Sequence, residues 1–313
     1  MFLSIDGRSV VALMSLDISA AFDMVDHNLL LERLRVEFGL NGAARDWISS
    51  YLRSRSFLVC IGQSSSSICS SNAGVPQGSL LGPVLFTVYV SPIGRLIKSF
   101  GIEYHGYADD TQLYTALKDD MRPGLDELSQ CTMALQYWFW INSLLLNPDK
   151  SDVAFYRTRP GLKRVDPINS VTVAGCAISI SDRLKILCVI LDTTLSFDEH
   201  IATVMKACNY HLRALRHIRR CITQDIASII ACSIVGSRID YYNGLLFGAS
   251  GEAFNRLQRV QNNLARAVFD IGIRNLHDSG RRSFDLLCEL HWLPVQARVK
   301  YKVALLCFKC YKL

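Results

Sequence analysis

Gly106-Tyr107-Ala108-Asp109-Asp110 sets two adjacent carboxylates in a turn between two short β-prone runs, residues 102–107 and 111–116. Tyr104, Tyr107 and Tyr114 supply aromatic side chains suited to a pleated surface. Ionised carboxylates this close repel, so the pair is tolerable mainly where cations neutralise it or solvent screens both. A third carboxylate comes from upstream, because residues 10–16 (VVALMSL) form an apolar run of strand length that ends in Asp17. Three hard oxygen ligands at two strand ends are the raw material of a two-metal phosphoryl-transfer site. A solvated hairpin turn is the simpler home for the pair, and the surrounding sequence has to decide between them.

Outward from this turn, strands and helices interleave as far as residue 192. Asp26 is placed to cap a helix reaching Phe38, with Leu30, Leu34 and Phe38 on one face and Gly39 as its stop. A second amphipathic helix is expected over 43–53 and a strand over 57–61, while the serine-rich stretch 63–71 reads as a loop or hairpin tip. Gly74-Val75-Pro76-Gln77-Gly78-Ser79 is a turn-rich entry to an apolar helix from Leu80 toward Val90. Pro123 suits the first turn of a helix running through Tyr137-Trp138-Phe139-Trp140, aromatics whose place on an apolar stripe favours the core over a base-stacking platform. Beyond Asn147-Pro148-Asp149-Lys150, strands are expected at 153–156, 171–174, 177–180 and 185–191. Ser196 and Glu199 then make a capping-box start for a long helix with Ile201, Val204, Cys208, Leu212 and Leu215 on one face. Further helices are expected at 224–236, 252–270 and 295–312, so the fold class is α+β followed by an all-α region.

At 313 residues and 50% apolar composition, the chain is long enough for one large or two ordinary cores. No apolar run approaches the ~18 residues that span a bilayer, and an acid precedes any base at the N-terminus, so neither a membrane segment nor a secretory signal is expected. Eleven cysteines scattered through apolar runs fit reduced, buried thiols and an intracellular, nuclear or cytoplasmic, setting. Cys307 and Cys310 have a metal-like spacing without a second pair to complete a zinc site. Residues 1–200 carry 17 Lys+Arg against 21 Asp+Glu, whereas residues 201–313 carry 17 against 7. A basic helical region attached to an acidic α/β body suggests a polyanion gripped by the first and processed by the second, the simpler reading being solvated helix faces rich in Lys and Arg.

LDISAAFD (16–23), GVPQGSLLGPVLF (74–86), YADD (107–110) and LNPDKSDV (146–153) resemble, in that order, the palm motifs of reverse transcriptases. ILCVILD (186–192) followed by LSFDEHI resembles the next motif and the start of the thumb. With SRIDYYNGLLFG (237–248) and LHWLPVQARVKYK (290–302), the chain is most similar to polymerases of non-LTR, LINE-type retrotransposons of the jockey or chicken-repeat lineage. Five ordered motifs carry this resemblance where a lone YADD would not. It implies a right-hand polymerase: a palm with partial fingers over 1–192, an antiparallel sheet with packed helices, then a helical thumb and C-terminal extension over 193–313. It also implies RNA-directed DNA polymerisation from dNTPs on an RNA template and DNA primer.

Within that resemblance, Asp17, Asp109 and Asp110 would hold two Mg²⁺ ions, with Mn²⁺ an alternative. Phe22 matches the aromatic gate that abuts the sugar 2′ position, or is an ordinary core residue. Gln77 and Gly78 match the loop supporting the template and incoming nucleotide, or form a plain helix-entry turn. Lys150 matches the lysine proposed to protonate departing pyrophosphate, and Tyr107 is expected near the primer terminus. A solvated lysine and a hairpin tyrosine are the simpler readings.

The pattern also departs from the family. Only 16 residues precede Asp17 where relatives carry a fingers region with basic residues that clamp the triphosphate, so an N-terminally truncated reading frame is expected. Neither an endonuclease region nor a Cys/His knuckle is evident, and Cys188 stands where the family commonly has glycine. The second reading is therefore a non-catalytic remnant that binds nucleic acid through its basic C-terminal helices. A metal-dependent phosphohydrolase is a third, which Phe22 and the GVPQGS loop disfavour.

Overall fold

Ten residues, Val10–Ser19, form β1, and the rest of the first half is arranged around them. The computed structural model describes residues 10–118, 120–157, 168–271 and 282–312. After β1 come α1 (His27–Val36), α2 (Gly42–Leu52) and four short strands, β2 (Arg55–Phe57), β3 (Cys60–Ile61), β4 (Ser64–Ser65) and β5 (Cys69–Ser71). Next are α3 (Gly82–Val90), α4 (Ile93–Ser99), β6 (Glu103–Tyr107), β7 (Asp110–Leu117), α5 (Arg122–Ile141), β8 (Leu145–Tyr156), β9 (Ser170–Val173) and β10 (Cys176–Ser179).

The main sheet has the order β6-β7-β1-β8 and is antiparallel throughout. A strand flanked on both sides tolerates a continuous apolar run, and Val11, Ala12, Leu13, Met14 and Leu16 are all buried. Leu30, Leu31 and Leu34 of α1, Phe86 and Tyr89 of α3, and Leu128, Leu135 and Phe139 of α5 pack into the same core as Met14 and Leu16. Arg33 is buried among them. Its guanidinium lies 4.6 Å from the Tyr89 ring centre and 5.1 Å from that of Trp138, and it donates to Asn142 Oδ1. Asn142 O in turn accepts from the Tyr89 hydroxyl at 2.7 Å.

The chain divides into two compact units, Met1–Leu184 and Lys185–Leu313. The division falls within β11 (Arg183–Ile186), which forms a hairpin with β12 (Val189–Asp192). The second unit continues as α6 (Asp198–Ile218), α7 (Gln224–Ile230), α8 (Gly251–Val268), α9 (Ser283–Glu289) and α10 (Val295–Lys312). A π-helical turn, Ala231–Gly236, and a last α turn, Ser237–Asp240, extend α7. Ile201, Leu212 and Leu215 of α6, Leu257 and Val260 of α8, and Val299 of α10 share its core. Among the described residues no helix is long and apolar enough to cross a membrane.

Several expectations need correction. Nine of the eleven thiols are exposed and only Cys131 and Cys208 are buried, since most cysteines fall on the outer side of short elements. Phe38 lies beyond the end of α1 and is exposed, because the helix stops at Val36. Of the aromatic cluster only Phe139 is buried. Trp138 is half-buried, and Tyr137 and Trp140 face outward on α5, one turn apart. The run 185–191 is a hairpin, broken by the left-handed Leu187 and Cys188. The N-cap of α6 is Phe197 rather than Ser196. The Asp192 carboxylate takes the amides of Ser196 and Phe197 at 3.0 and 2.8 Å, in place of the expected capping box.

Candidate active site

The pairing of β1 with β7 ends at Leu16 opposite Thr111, and β6 pairs with β7 through Tyr107 opposite Asp110. One further step of the first register sets Asp17 opposite Asp110. Ala108 and Asp109 form the two-residue turn between β6 and β7. Ala108 has a left-handed φ of 53°, which Asp109 does not share, a conformation that glycine would enter more easily. Asp17 and Asp109 are half-buried and Asp110 is exposed at their edge. Although Asp110 reaches solvent, partial desolvation at the sheet edge, and then the negative charges of Asp109 and Asp17, push its carboxyl above the usual carboxylate range. The three carboxylates therefore lie in one electrostatic field.

On the other side of β1 the register with β8 breaks. Ser15 pairs with Asp152, but Asp17 pairs with Asn147, so residues between them bulge out of the strand. Asn147-Pro148-Asp149-Lys150 is thus a bulge inside β8 rather than a turn before a strand starting at 153. Pro148 fits there because a bulge leaves its missing N–H without consequence. Ser151 is buried at the base of the bulge, where its hydroxyl donates to Asn147 O at 2.8 Å and accepts from the Asp17 amide at 3.3 Å. Lys150, next to it, is exposed. Ser151 is the residue that locks the bulge to the Asp17 strand, and only knowledge of the pairing partner could have singled it out.

A second group forms beyond Asp17. The half-buried Phe22 ring lies 5.1 Å from that of Phe86, while Phe22 O accepts from Val75 N and Val25 O from Gly74 N, both at 2.8 Å. Gln77 Nε2 donates to Asp23 Oδ1 at 3.0 Å, so its amide is held by Asp23 and not by the carboxylate triad. Gly78 is exposed with φ +79° and open space where a Cβ would stand. Gly74 is the crowded glycine, with a Cβ there meeting Asp23 O at 2.8 Å. Tyr107, at the end of β6, is 59% exposed. Sequence reasoning passed over Asp23, although it closes the LDISAAFD motif.

Among the described residues no three Asp, Glu, His or Cys side chains are drawn around a common point closely enough to hold an ion. The donor set nevertheless fits one chemically. Three carboxylates at adjoining strand ends present only hard oxygen donors, and a divalent cation would offset the burial and the neighbouring negative charges that together raise Asp110.

Residues 5–191 match the reverse transcriptase (RNA-dependent DNA polymerase) family. The chain is 27% identical over 266 residues to the probable RNA-directed DNA polymerase from transposon BS of Drosophila melanogaster, across 82% of this chain and 28% of that protein. It is 30% identical over 197 residues to the RNA-directed DNA polymerase from mobile element jockey of the same organism, across 61% of this chain and 21% of that one. The chain thus spans about a quarter of the length of these relatives. Among solved structures, apo telomerase from Candida tropicalis is similar with a TM-score of 0.46 and 12% identity, over 84% of this chain and 42% of that one.

Proposed function

The chain belongs to the reverse transcriptase (RNA-dependent DNA polymerase) family, and from that premise we propose that it adds deoxynucleotides to a primer 3′-hydroxyl on an RNA template. The observation that carries this reading is the strand register that sets Asp17 beside the Asp109-Asp110 turn, where burial and then the charges of Asp109 and Asp17 raise the Asp110 carboxyl.

Family membership implies a divalent-metal-dependent polymerase. Asp17, Asp109 and Asp110 would hold two Mg²⁺ ions, or Mn²⁺ in their place. When bound, such ions would lower the pKa of the attacking hydroxyl and offset charge on the leaving pyrophosphate. Lys150, exposed on the bulge beside Ser151, is the ammonium that would hand a proton to the pyrophosphate oxygen. Phe22 would abut the sugar and refuse a 2′-hydroxyl. Gln77 and Gly78 would support the template and incoming nucleotide, and Tyr107 the primer end. The basic helices of residues 185–313 would hold the strands by their phosphates.

Primer extension tests the proposal directly: purified chain, oligo-dT annealed to poly-rA, dTTP and Mg²⁺. Extension by wild type that is abolished in Asp109→Asn is the expected result. A wild type that binds the hybrid without extending it would sink the polymerase reading. Nucleic-acid binding would then stand as the function, a second reading favoured by the 18 Lys+Arg against 10 Asp+Glu of residues 185–313.

A further inference from the structure

The two C-terminal motifs, 237–248 and 290–302, have no role in the polymerase chemistry proposed above, yet they meet around one cavity of about 350 Å³ in the second unit. Asp240 and Asn243 come from the first motif, and His291, Arg298, Tyr301 and Lys302 from the second. Arg298 clamps Asp240 with two hydrogen bonds, so these two charges cancel each other. Asn243 Nδ2 donates to Asp240 Oδ1 at 3.2 Å, which fixes which way the amide faces. Its Oδ1 is buried and has no hydrogen-bond partner among the described residues, although the side chain lines the cavity and is only 5% exposed. An acceptor left in that state costs about 1–3 kcal/mol, which a donor would recover.

The remaining groups set the class of ligand. Lys302 leaves the lining with a net positive charge, and His291, held in a left-handed backbone conformation with φ 55°, adds a further nitrogen donor. Tyr301, 62% exposed, lines the same space. A flat aromatic face, a buried acceptor and a cationic rim are complementary to a base, its exocyclic amino group and a phosphate. The volume suits one such unit.

We infer that this cavity takes one unpaired nucleotide of a nucleic-acid strand, with the base on Tyr301, its amino edge to Asn243 and its phosphate on Lys302 and His291. The inference goes beyond the polymerase reading and concerns the second unit alone. It also carries a base preference, because cytosine offers an amino donor where uracil offers only a carbonyl.

The test is fluorescence anisotropy of labelled eight-nucleotide strands with the full-length chain carrying Asp109→Asn, so that the result does not depend on extension. Oligo(rC) should bind at least several-fold more tightly than oligo(rU) and than an abasic strand of equal charge. Tyr301→Ala should weaken oligo(rC) binding by about tenfold and Tyr301→Phe should not, as expected for one stacked base. Oligo(dC) alongside oligo(rC) tells whether the occupant is DNA or RNA. Asn243→Leu should erase the cytosine preference. Because that residue is buried, the exposed Tyr301 pair keeps the test decisive if the variant fails to fold. Equal binding of the cytosine, uracil and abasic strands, or no effect of Tyr301→Ala, would overturn the inference.

Discussion

Gly74 and Gly78 both have positive φ, but for Gly74 the backbone conformation is only half of the constraint. At Gly78 a Cβ would project into open space, so Gly78→Ala carries the conformational cost alone, about 1 kcal/mol. At Gly74 the Cβ would also press on the Asp23 backbone at 2.8 Å, between two backbone hydrogen bonds that tie residues 74–75 to Phe22 and Val25. Gly74→Ala should therefore cost about 2–4 kcal/mol, read as a lower urea midpoint, with Gly78→Ala as the reference. Asp192 offers a second test at single-residue scale. Burial would push its carboxyl up, but the Ser196 and Phe197 amides and the Thr194 and Ser196 hydroxyls outweigh it and hold it below the usual carboxylate range. A depressed folded pKa contributes stability above the unfolded pKa and loses it as pH falls through the folded one. Asp192→Ala should cost about 1–2 kcal/mol at neutral pH. That gap from wild type should narrow between about pH 5 and pH 2 in parallel denaturation curves, and a pH-independent gap would refute the account.

The β11–β12 hairpin shows how an element can be built from residues that do not advertise it. Leu187 and Cys188 occupy the turn with φ of 46° and 65°, a pairing of left-handed residues for which Asn-Gly is the preferred sequence. Leu187→Asn with Cys188→Gly should raise stability by about 1 kcal/mol in thermal or urea unfolding, the gain lying in released backbone strain. No change would mean that the strain is relieved elsewhere in the loop. The same element marks where sequence reading stopped. β1 and the β6–β7 hairpin were legible because an apolar run and a turn flanked by β-prone residues are local signals, and Asp17, Asp109 and Asp110 came with them. The bulge at Asn147–Ser151 was not, because Asn, Pro and Asp favour any turn, and only pairing with a strand 134 residues away makes this one a bulge. Exposure of Tyr137 and Trp140 was missed for a related reason: periodicity finds the face of α5 that is buried, while the width of that face depends on what packs against it.

Over the whole molecule, charge is partitioned as sharply as structure. Residues 1–184 carry 16 Lys+Arg against 18 Asp+Glu, while residues 185–313 carry 18 against 10. Within the second unit, Lys206, Arg213, Arg216 and Arg220 are exposed at helical spacing along and just beyond α6, and no acid interrupts the chain between Glu199 and Asp225. Such a stripe acts on phosphates by releasing condensed counterions, so each contact contributes about 0.9 to the slope of log affinity against log salt on duplex. Lys206→Ala, Arg213→Ala and Arg216→Ala together should flatten that slope by about 2–3 and weaken binding at low salt. Cytosine, uracil and abasic strands should be weakened alike, since phosphate contacts carry no base information. All three side chains are exposed, so thermal stability should stay close to wild type, which separates lost contact from lost fold. Tyr301→Ala should do the opposite: the salt slope stays, and affinity for base-bearing strands falls. An unchanged slope in the triple variant would place the phosphate contacts off α6, and a changed slope with a lost cytosine preference would mean that stripe and cavity act as one surface.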